Sequence, residues 1–494
     1  MPTMILIEPR SPNLHIFSIF PLPRLGAFIL GALVERMGWT AEVMIEELAP
    51  IDWEHIRRAT LVGISTISST APRAYAIADR ARALGVPVIM GGPHVTFMPE
   101  EALEHADWVV RGEGEEALQA FVRAWEAGSE LSGVPNLSFR LGDTVRHNPM
   151  SKRPTDMASL PHPDFSLSHA SRGIVSKSRA LPVQTSRGCP FHCAFCSVTP
   201  MFGRRHRTRP VEDVIEELRK YRGRTRNIFF YDDHFTARPA YTRRLLEAML
   251  RENFDFRWSA QVRADVARDP EMVDLMRRSG CHTLYIGFES IDPATLAAVK
   301  KQQDIEEVKR SIRIIQKRGI HIHGMFILGF DGDDWNRVRD TVRFTRRCGL
   351  TSVQFLILTP LPGSQTFDTL AAAGRILFHD WSLYDAHHVV FRPVGLTLPA
   401  LQQAQIYAHR RFYSPLRRFK HLASGRLDAF FINWYAGNLN RAWKKKNRIY
   451  LKTLELLRPN QIADILVDYR EKIRLNLMDR VPDRGWRLVR RLLQ

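Results

Sequence analysis

A chain of 494 residues with 45% apolar and 25% charged residues is long enough for roughly two or three domains with full cores and is too apolar to be disordered. Five cysteines are too few for a disulfide scaffold and fit a reducing cytoplasm. The formal net charge of +19 is uneven, because residues 410–494 hold 21 Lys/Arg against 7 Asp/Glu, and that end calls for an anionic partner.

The first residues, MPTMILIEPR, enter a strand at once and carry no charged-then-apolar leader, which argues against a signal peptide. The apolar stretch Leu14–Val34 is broken by Pro21, Pro23 and Arg24, so it predicts a loop into a buried helix rather than a membrane span. Apolar runs at Met4–Ile7, Ala41–Ile45, Thr60–Ser65, Val86–Met90 and Trp108–Val110 predict buried parallel strands. Helical patterns lie between them at Arg24–Met37, Ala71–Leu84 and Pro99–His105. This alternation over residues 1–140 predicts a doubly wound, Rossmann-like α/β domain that binds its ligand beyond the carboxyl ends of the strands. There the chain has GISTISST (residues 63–70) with Ser65, Thr66 and Ser69, then Gly91-Gly92-Pro93-His94, then Gly112-Glu113-Gly114-Glu115. Glycine permits close backbone approach and hydroxyls can hold a polar tail, although any such fold needs tight turns at these points. A lone loop histidine such as His94 is more often structural than a ligand.

Residues 141–179 are polar and proline-rich and read as a linker. From Ala180 the alternation resumes. Strands are predicted at Leu181–Thr185, Asn227–Tyr231, Arg257–Gln261, Thr283–Phe288, His321–Leu328 and Ser352–Leu358. Helices are predicted at Val211–Tyr221, Ala240–Glu252, Pro270–Ser279, Asp304–Arg318 and Arg337–Cys348. Six βα units over 180–370 predict a partial (β/α)6 TIM barrel with its site at the carboxyl ends of the strands.

The first of those strands feeds QTSRGCPFHCAFC (residues 184–196), which holds Cys189, Cys193 and Cys196 in the spacing C-x3-C-x2-C. An iron–sulfur cluster normally takes four thiolates, so three from one loop leave one iron of a [4Fe–4S] cluster open. A structural zinc, with His192 or His206 as extra ligands, and three buried free thiols are the alternatives, but zinc loops usually pair C-x2-C with a second pair or with histidines. Cys281 and Cys348 sit in apolar surroundings and read as core thiols.

The other strand ends are polar. Phe230–Phe235 reads FYDDHF, whose Asp232 and Asp233 suit an ammonium or a ribose, or else a helix cap. Ser259, Gln261 and Arg263 follow the third strand; a guanidinium grips a carboxylate, or forms a plain ion pair. Glu289 ends the fourth strand and suits sugar hydroxyls or a salt bridge. Gly324–Phe330 forms the fifth strand end around Gly329, with Asp331 and Asp333 beyond it. Residues 371–494 read as a basic, mostly helical region. It opens on WSLYDAHHVVFRP, with His387 and His388 facing substrate or packed, and continues with Phe430, Phe431, Trp434 and Tyr435 beside Lys444–Lys446 and Arg490-Arg491. Basic and aromatic helices suit a membrane interface or a lipid, RNA, or a solvated cap.

Taken together, the cysteine loop resembles the signature of radical S-adenosylmethionine (SAM) enzymes, with Phe195 at their aromatic position. The N-terminal motifs are similar to the cobalamin-binding domain of the B12-dependent branch, although the D-x-H-x-x-G pattern of classical B12 proteins is absent. The resemblance implies a [4Fe–4S] cluster on the three cysteines and SAM on its open iron. It implies SAM contacts from Phe195, Asp232, Asp233, Ser259, Gln261, Arg263, Glu289 and Gly329. It implies cobalamin beside Ser65, Thr66, Ser69, Gly91, Gly92, His94, Gly112 and Glu113. The expected reaction is radical C-methylation of a small, lipid-like molecule. The alternatives are a porphyrin-cyclase-like ring closure and an RNA-modifying iron–sulfur protein. The expected reductant is a flavodoxin or ferredoxin, and the expected location is the cytoplasm or the inner membrane face.

Overall fold

The computed structural model describes residues 1–11, 22–169 and 180–457. Strands β1 (Thr3–Glu8), β2 (Thr40–Ile45), β3 (Leu61–Ser65), β4 (Val88–Gly91) and β5 (Trp108–Val110) run parallel in the order β2-β1-β3-β4-β5. Their residues alternate between two buried faces, which is why they read as unbroken apolar runs. Ile5, Ile7, Val62, Ile64, Val88 and Met90 pack on the helix Ala71–Ala83. Met4, Leu6, Leu61, Ile89 and Val110 pack on the helices Leu25–Glu35 and Gly114–Glu126. The predicted helix at Pro99–His105 is shorter, Pro99–Ala102, and a separate short helix, Pro93–Phe97, precedes it, the two parted at Met98 because the ring of Pro99 restricts the residue before it.

The sheet continues past residue 140. Strands β6 (Leu137–Leu141) and β7 (Thr144–His147) form an antiparallel hairpin on β5. Its two-residue turn is Gly142-Asp143, with Gly142 at φ +60. Beyond it, Ser168 bridges to Val43 of β2, so part of the proline-rich segment lies on this domain.

The second sheet contains β8 (Leu181–Val183), β11 (Asn227–Phe230), β12 (Arg257–Val262), β13 (Cys281–Glu289), β14 (His321–Leu328) and β15 (Ser352–Ile357), all parallel and in chain order. A small ladder of β9 (Ser186–Arg187) and β10 (Arg207–Thr208) sits above β8. Among the described residues β8 and β15 do not pair, so the barrel is partial. Its wall packs outward on amphipathic helices. Beneath them Phe230, Phe235 and Trp258, each about 1% exposed or less, form one aromatic cluster. Each ring stabilises the fold by about 2–3 kcal/mol relative to exposure.

The region from 371 begins as an extension of both domains. Trp381, Tyr384 and Val390 join the N-terminal core, and Trp381 donates to Glu101. The helix Leu398–Phe412 is buried on most sides and puts Leu401, Ala404, Ala408 and Phe412 into the barrel core. His388 is fully buried between Asp385 and Asn447, and His387 contacts the Gln405 amide, so both histidines are packed. The helices Pro415–Ala423, Leu427–Lys446 and Arg448–Leu456 follow. Arg490 and Arg491 lie outside the described residues. No helix among the described residues is long and apolar enough to cross a membrane.

Candidate active site

Strand β8 delivers the chain into the cysteine loop, and Asp232 at the end of β11 fixes how it turns. Asp232 is 1% exposed and accepts from Thr185 N (2.7 Å), Thr185 Oγ1 (2.5 Å) and Ser186 N (2.9 Å). Burial raises its carboxyl to about 6 against the pull of those donors. Asp232 is therefore committed to shaping the loop. Asp233 accepts from Gly188 N at 3.1 Å. Gly188 has φ +89, and a Cβ there would lie 2.7 Å from the Arg205 carbonyl oxygen. The loop tip is docked by Ala194 N–H on the Val299 carbonyl and by Thr366 N–H on the Ala194 carbonyl.

Cys189, Cys193 and Cys196 are partly exposed and unpaired. Burial pushes all three thiols up, Cys196 to about 12, so coordination is what would make them thiolates. Among the described residues, the three metal-ligating groups whose ligand atoms all lie within 4.8 Å are Glu42, His55 and His169 at the β2 edge, not the cysteines. Three cysteine ligands from one loop suit a cluster that leaves one metal open.

Charged side chains gather on the other side of the loop. Glu289, at φ +62, is buried and accepts from Lys301 Nζ at 2.7 Å. A Cβ at position 287 would stand 2.3 Å from Glu289 Oε1 and 3.2 Å from Lys301 Nζ, so a larger residue there would displace this pair. Lys301 and Arg263 are the cations that oppose the burial of Cys193. Arg263 donates to the Lys301 (2.7 Å) and Gln302 (3.0 Å) carbonyls and pairs with Asp265 (3.3 Å). Its guanidinium lies 3.9 Å above the ring of Phe191, on which His234 also stacks. Arg263 thus braces the loop from behind. Lys301 did not stand out in the sequence, where KKQQ after a short helix reads as surface.

On β12, Arg257, Ser259 and Gln261 alternate with the buried Trp258, Ala260 and Val262, and Gln261 lines the barrel cavity. Gly329 has φ +106, and a Cβ there would lie 2.8 Å from Leu401 Cδ2. Asp333 accepts from Gly329 N (2.8 Å) and Phe330 N (3.1 Å), and burial raises it to about 6. Asp331 points away to Arg375 (2.6 Å). Phe195 packs 6.3 Å from the Phe330 ring, at the edge of the same turn.

In the N-terminal domain a cavity of about 410 Å³ opens at the carboxyl ends of β1, β3, β4 and β5. The strand order makes the β1/β3 gap the point where the winding reverses, the usual ligand position in such sheets. Ser65, Gly91, Gly92, Gly112 and Glu113 line it. Gly92 has φ +102, and a Cβ would meet the Thr66 carbonyl oxygen at 2.5 Å, so this wall is main chain packed on main chain. Thr66, Ser69 and His94 are buried outside that lining. Thr66 Oγ1 bonds Thr70 Oγ1 (3.0 Å), and His94 bonds Ser68 Oγ (3.2 Å) and Tyr75 OH (3.1 Å) with Glu101 nearby. His94 is a core histidine whose two nitrogens are both engaged. The glycine-edged cavity fits a broad, largely uncharged macrocycle such as a corrin held by shape.

The two domains are locked beside this cavity. Arg187, two residues before Cys189, pairs with Glu113 (2.7 Å) and Glu115 (2.9 Å), and Arg207 pairs with Glu113 (2.9 Å). Removing one partner from such a buried network costs about 3–5 kcal/mol by stranding the others.

A second cavity, of about 630 Å³, fills the barrel and reaches the residues Phe229, Tyr285, His282, His321 and His323. His323 bonds Ser352 Oγ at 2.8 Å, and burial lowers its pKa to about 4, so it is neutral at pH 7. Arg24, Ile67, Tyr231 and Gln261 line both cavities. The two spaces therefore meet at four side chains, next to Asp233 and the cysteine loop.

Comparison with known proteins agrees with this layout. The B12 binding domain pattern matches residues 20–122 and the Radical SAM superfamily pattern matches residues 183–345. An uncharacterized methyltransferase of Pyrococcus horikoshii is 34% identical over 72% of this chain and 78% of its own. The bacteriochlorophyllide d C-12(1)-methyltransferase of Chlorobaculum tepidum is 30% identical over 77% of this chain and 81% of its own. The structure of the radical SAM methyltransferase TsrM from Kitasatospora setae, with cobalamin and a [4Fe–4S] cluster bound, superposes with a TM-score of 0.65 at 19% identity, over 76% of this chain and 78% of that one. With both family patterns matched and a relative 34% identical over 72% of the chain, the chain belongs to the cobalamin-dependent branch of the radical SAM superfamily.

Proposed function

We propose that this protein methylates an unactivated carbon of a small, lipid-like molecule, using a [4Fe–4S] cluster, SAM and cobalamin. The observation that carries the reading is the junction of the two cavities at Arg24, Ile67, Tyr231 and Gln261. When bound, these groups supply a nucleoside-derived radical that removes a hydrogen atom and a methyl group that takes its place. The chain supplies position. Cys189, Cys193 and Cys196 would hold the cluster and leave one iron open. Asp233 would take a ligand ammonium, Glu289 would accept from ribose hydroxyls, and Lys301 would offset a carboxylate. Phe229, Tyr231 and Tyr285 wall the barrel cavity with rings that hold an apolar substrate and keep water out. A flavodoxin or ferredoxin would deliver the electron.

Relatives that support an apolar substrate include a hopanoid C-2 methylase from Rhodopseudomonas palustris. Anaerobic magnesium-protoporphyrin IX monomethyl ester cyclases are also relatives and support ring closure as the second reading. An RNA substrate has less support, because the rings of Phe229, Tyr231 and Tyr285 give the barrel cavity an apolar wall.

The test uses protein purified and reconstituted without oxygen. Iron, sulfide and cobalt are quantified together, and 5′-deoxyadenosine and S-adenosylhomocysteine are measured with SAM, reductant and a lipid extract. Methylation predicts both products. Deoxyadenosine without cobalt uptake would overturn it, and deoxyadenosine without S-adenosylhomocysteine in cobalt-loaded protein would favour the cyclase reading.

A further inference from the structure

Among the described residues, the last helices carry an apolar surface that no other element covers. On Pro415–Ala423 the exposed face carries Leu416, Phe419 and Leu422, with Phe419 67% exposed. On Leu427–Lys446 the residues Leu427, Phe431 and Trp434 recur at i, i+4 and i+7, and so form one stripe; Phe431 is 60% exposed and Trp434 49%. These two helices pack against each other, and Ile449 stands 83% exposed just beyond them. The surroundings are cationic. Residues 415–457 hold ten Lys/Arg against two Asp/Glu, and Lys444, Lys445 and Lys446 end the long helix. Arg417 is excluded from that surface, since it donates to the Leu350 carbonyl.

The same helix walls the barrel cavity. Asp428, Ile432 and Tyr435 line it, each one residue after Leu427, Phe431 and Trp434. One residue is a turn of about 100° on a helix, so the outer stripe and the cavity stripe run side by side. Asp428 and Ile432 are themselves partly exposed and sit at the rim.

We propose that the outer face of these helices docks onto an anionic lipid bilayer and holds the rim of the barrel cavity at the membrane surface, where a membrane-dissolved substrate enters. The identity of what enters rests on the function proposed above; the docking does not. Apolar side chains ringed by lysine and arginine match a bilayer that is anionic at its headgroups and apolar just below. RNA would use the rings and the cations, but gives Leu416, Leu422 and Ile449 nothing to bury in. A second copy would set like charges against each other across the contact.

The test is co-sedimentation of the full-length, cofactor-loaded protein with phosphatidylcholine vesicles, with and without phosphatidylglycerol. Docking predicts at least roughly ten-fold tighter binding to the anionic vesicles. Phe431→Asp with Trp434→Asp is expected to weaken that binding roughly ten-fold or more while iron and cobalt content stay unchanged. Lys444→Glu, Lys445→Glu and Lys446→Glu together are expected to remove the preference for anionic vesicles. No sedimentation with either vesicle, binding indifferent to the aspartates, salt-sensitive RNA binding without vesicle binding, or a dimer that the aspartates dissolve would each overturn the proposal. Vesicle binding is read without turnover. Protein that sediments with vesicles yet never methylates would sink the proposed reaction and leave the docking standing; methylation of a soluble substrate by protein that ignores vesicles would do the reverse.

Discussion

The cavity at the β1/β3 switch is edged by glycine and main chain at Gly91, Gly92 and Gly112, with its charged lining, Glu113, Glu115, Arg187 and Asp233, gathered towards the cysteine loop, whereas the barrel side of that loop carries the charged set Glu289, Lys301 and Arg263. The difference follows ligand chemistry. A broad, nearly neutral macrocycle is recognised by shape, so the protein brings its backbone close and removes side chains. A small zwitterion with a sugar is recognised by charge and hydrogen bonds, so the protein brings carboxylates and cations and buries them in pairs. Substitutions should therefore fail in different ways on the two sides.

The harshest test removes the sulfurs. Replacing Cys189, Cys193 or Cys196 by Ala is expected to abolish iron loading and cut SAM cleavage by at least about a thousand-fold, measured as 5′-deoxyadenosine released. Cys281→Ala and Cys348→Ala, at packed thiols, are expected to keep both. Next is shape. Gly92→Ala puts a Cβ at φ +102 and 2.5 Å from the Thr66 carbonyl oxygen. It is expected to lose cobalamin uptake and about 2 kcal/mol or more of stability, whereas iron is retained. Gly133→Ala, with nothing within 4 Å of the added Cβ and outside the cavity lining, is the control and is expected to load cobalt normally. Loss of iron in Gly92→Ala would erase the contrast between the two sides.

Charge comes third. Glu289→Gln strands Lys301 and is expected to weaken SAM binding roughly ten- to a hundred-fold, read by equilibrium dialysis. Adding Lys301→Met is expected to recover stability in urea but not SAM affinity. Recovery of affinity in the double variant would make the pair structural. The smallest effect concerns pH. His323 titrates at about 4 in the folded chain, against about 6.5 in an unfolded one. The folded state then binds fewer protons in that window, so its contribution is present above about pH 6.5 and lost as pH falls towards about 4. Asp232 and Asp333, raised to about 6, act in the opposite sense, because their contribution is lost as pH rises through that value. His323→Gln is therefore expected to flatten the acid side of the urea-midpoint profile, with the aspartate terms common to both proteins. An unchanged slope would refute the assignment.

Much of this arrangement is written locally. Strand β14 runs over His321–Leu328, as its apolar run predicts, and the helix Val211–Tyr221 likewise keeps its expected bounds. The cysteine spacing is legible because cluster ligation needs little beyond one loop. Partners that arrive from elsewhere in the chain are not. Asp232 and Asp233 are neighbours of one kind, yet Thr185 and Ser186 claim the first and Gly188 the second. Arg263 suits a carboxylate by its chemistry, and its donors go to the carbonyls of Lys301 and Gln302, which a later loop brings in. Lys301 is invisible for the same reason. The helix Gly114–Glu126 has a clear apolar stripe in Ala117, Leu118, Phe121 and Val122, but it begins inside a motif that reads as a glycine loop. The hairpin β6–β7 is hidden because its outer strand, TVRH, is polar and its only signal is the Gly142-Asp143 turn.

Arg187 lies between Ser186, whose amide Asp232 holds, and the glycine that precedes the first cysteine, and it reaches across to Glu113 and Glu115. A chimaera that grafts the first half of a relative onto this barrel would inherit only one end of that contact. Domain exchange within the superfamily thus requires the arginine and its two glutamates to travel as a matched set, and a mismatch would surface first as a misplaced metallocluster rather than as a missing corrinoid.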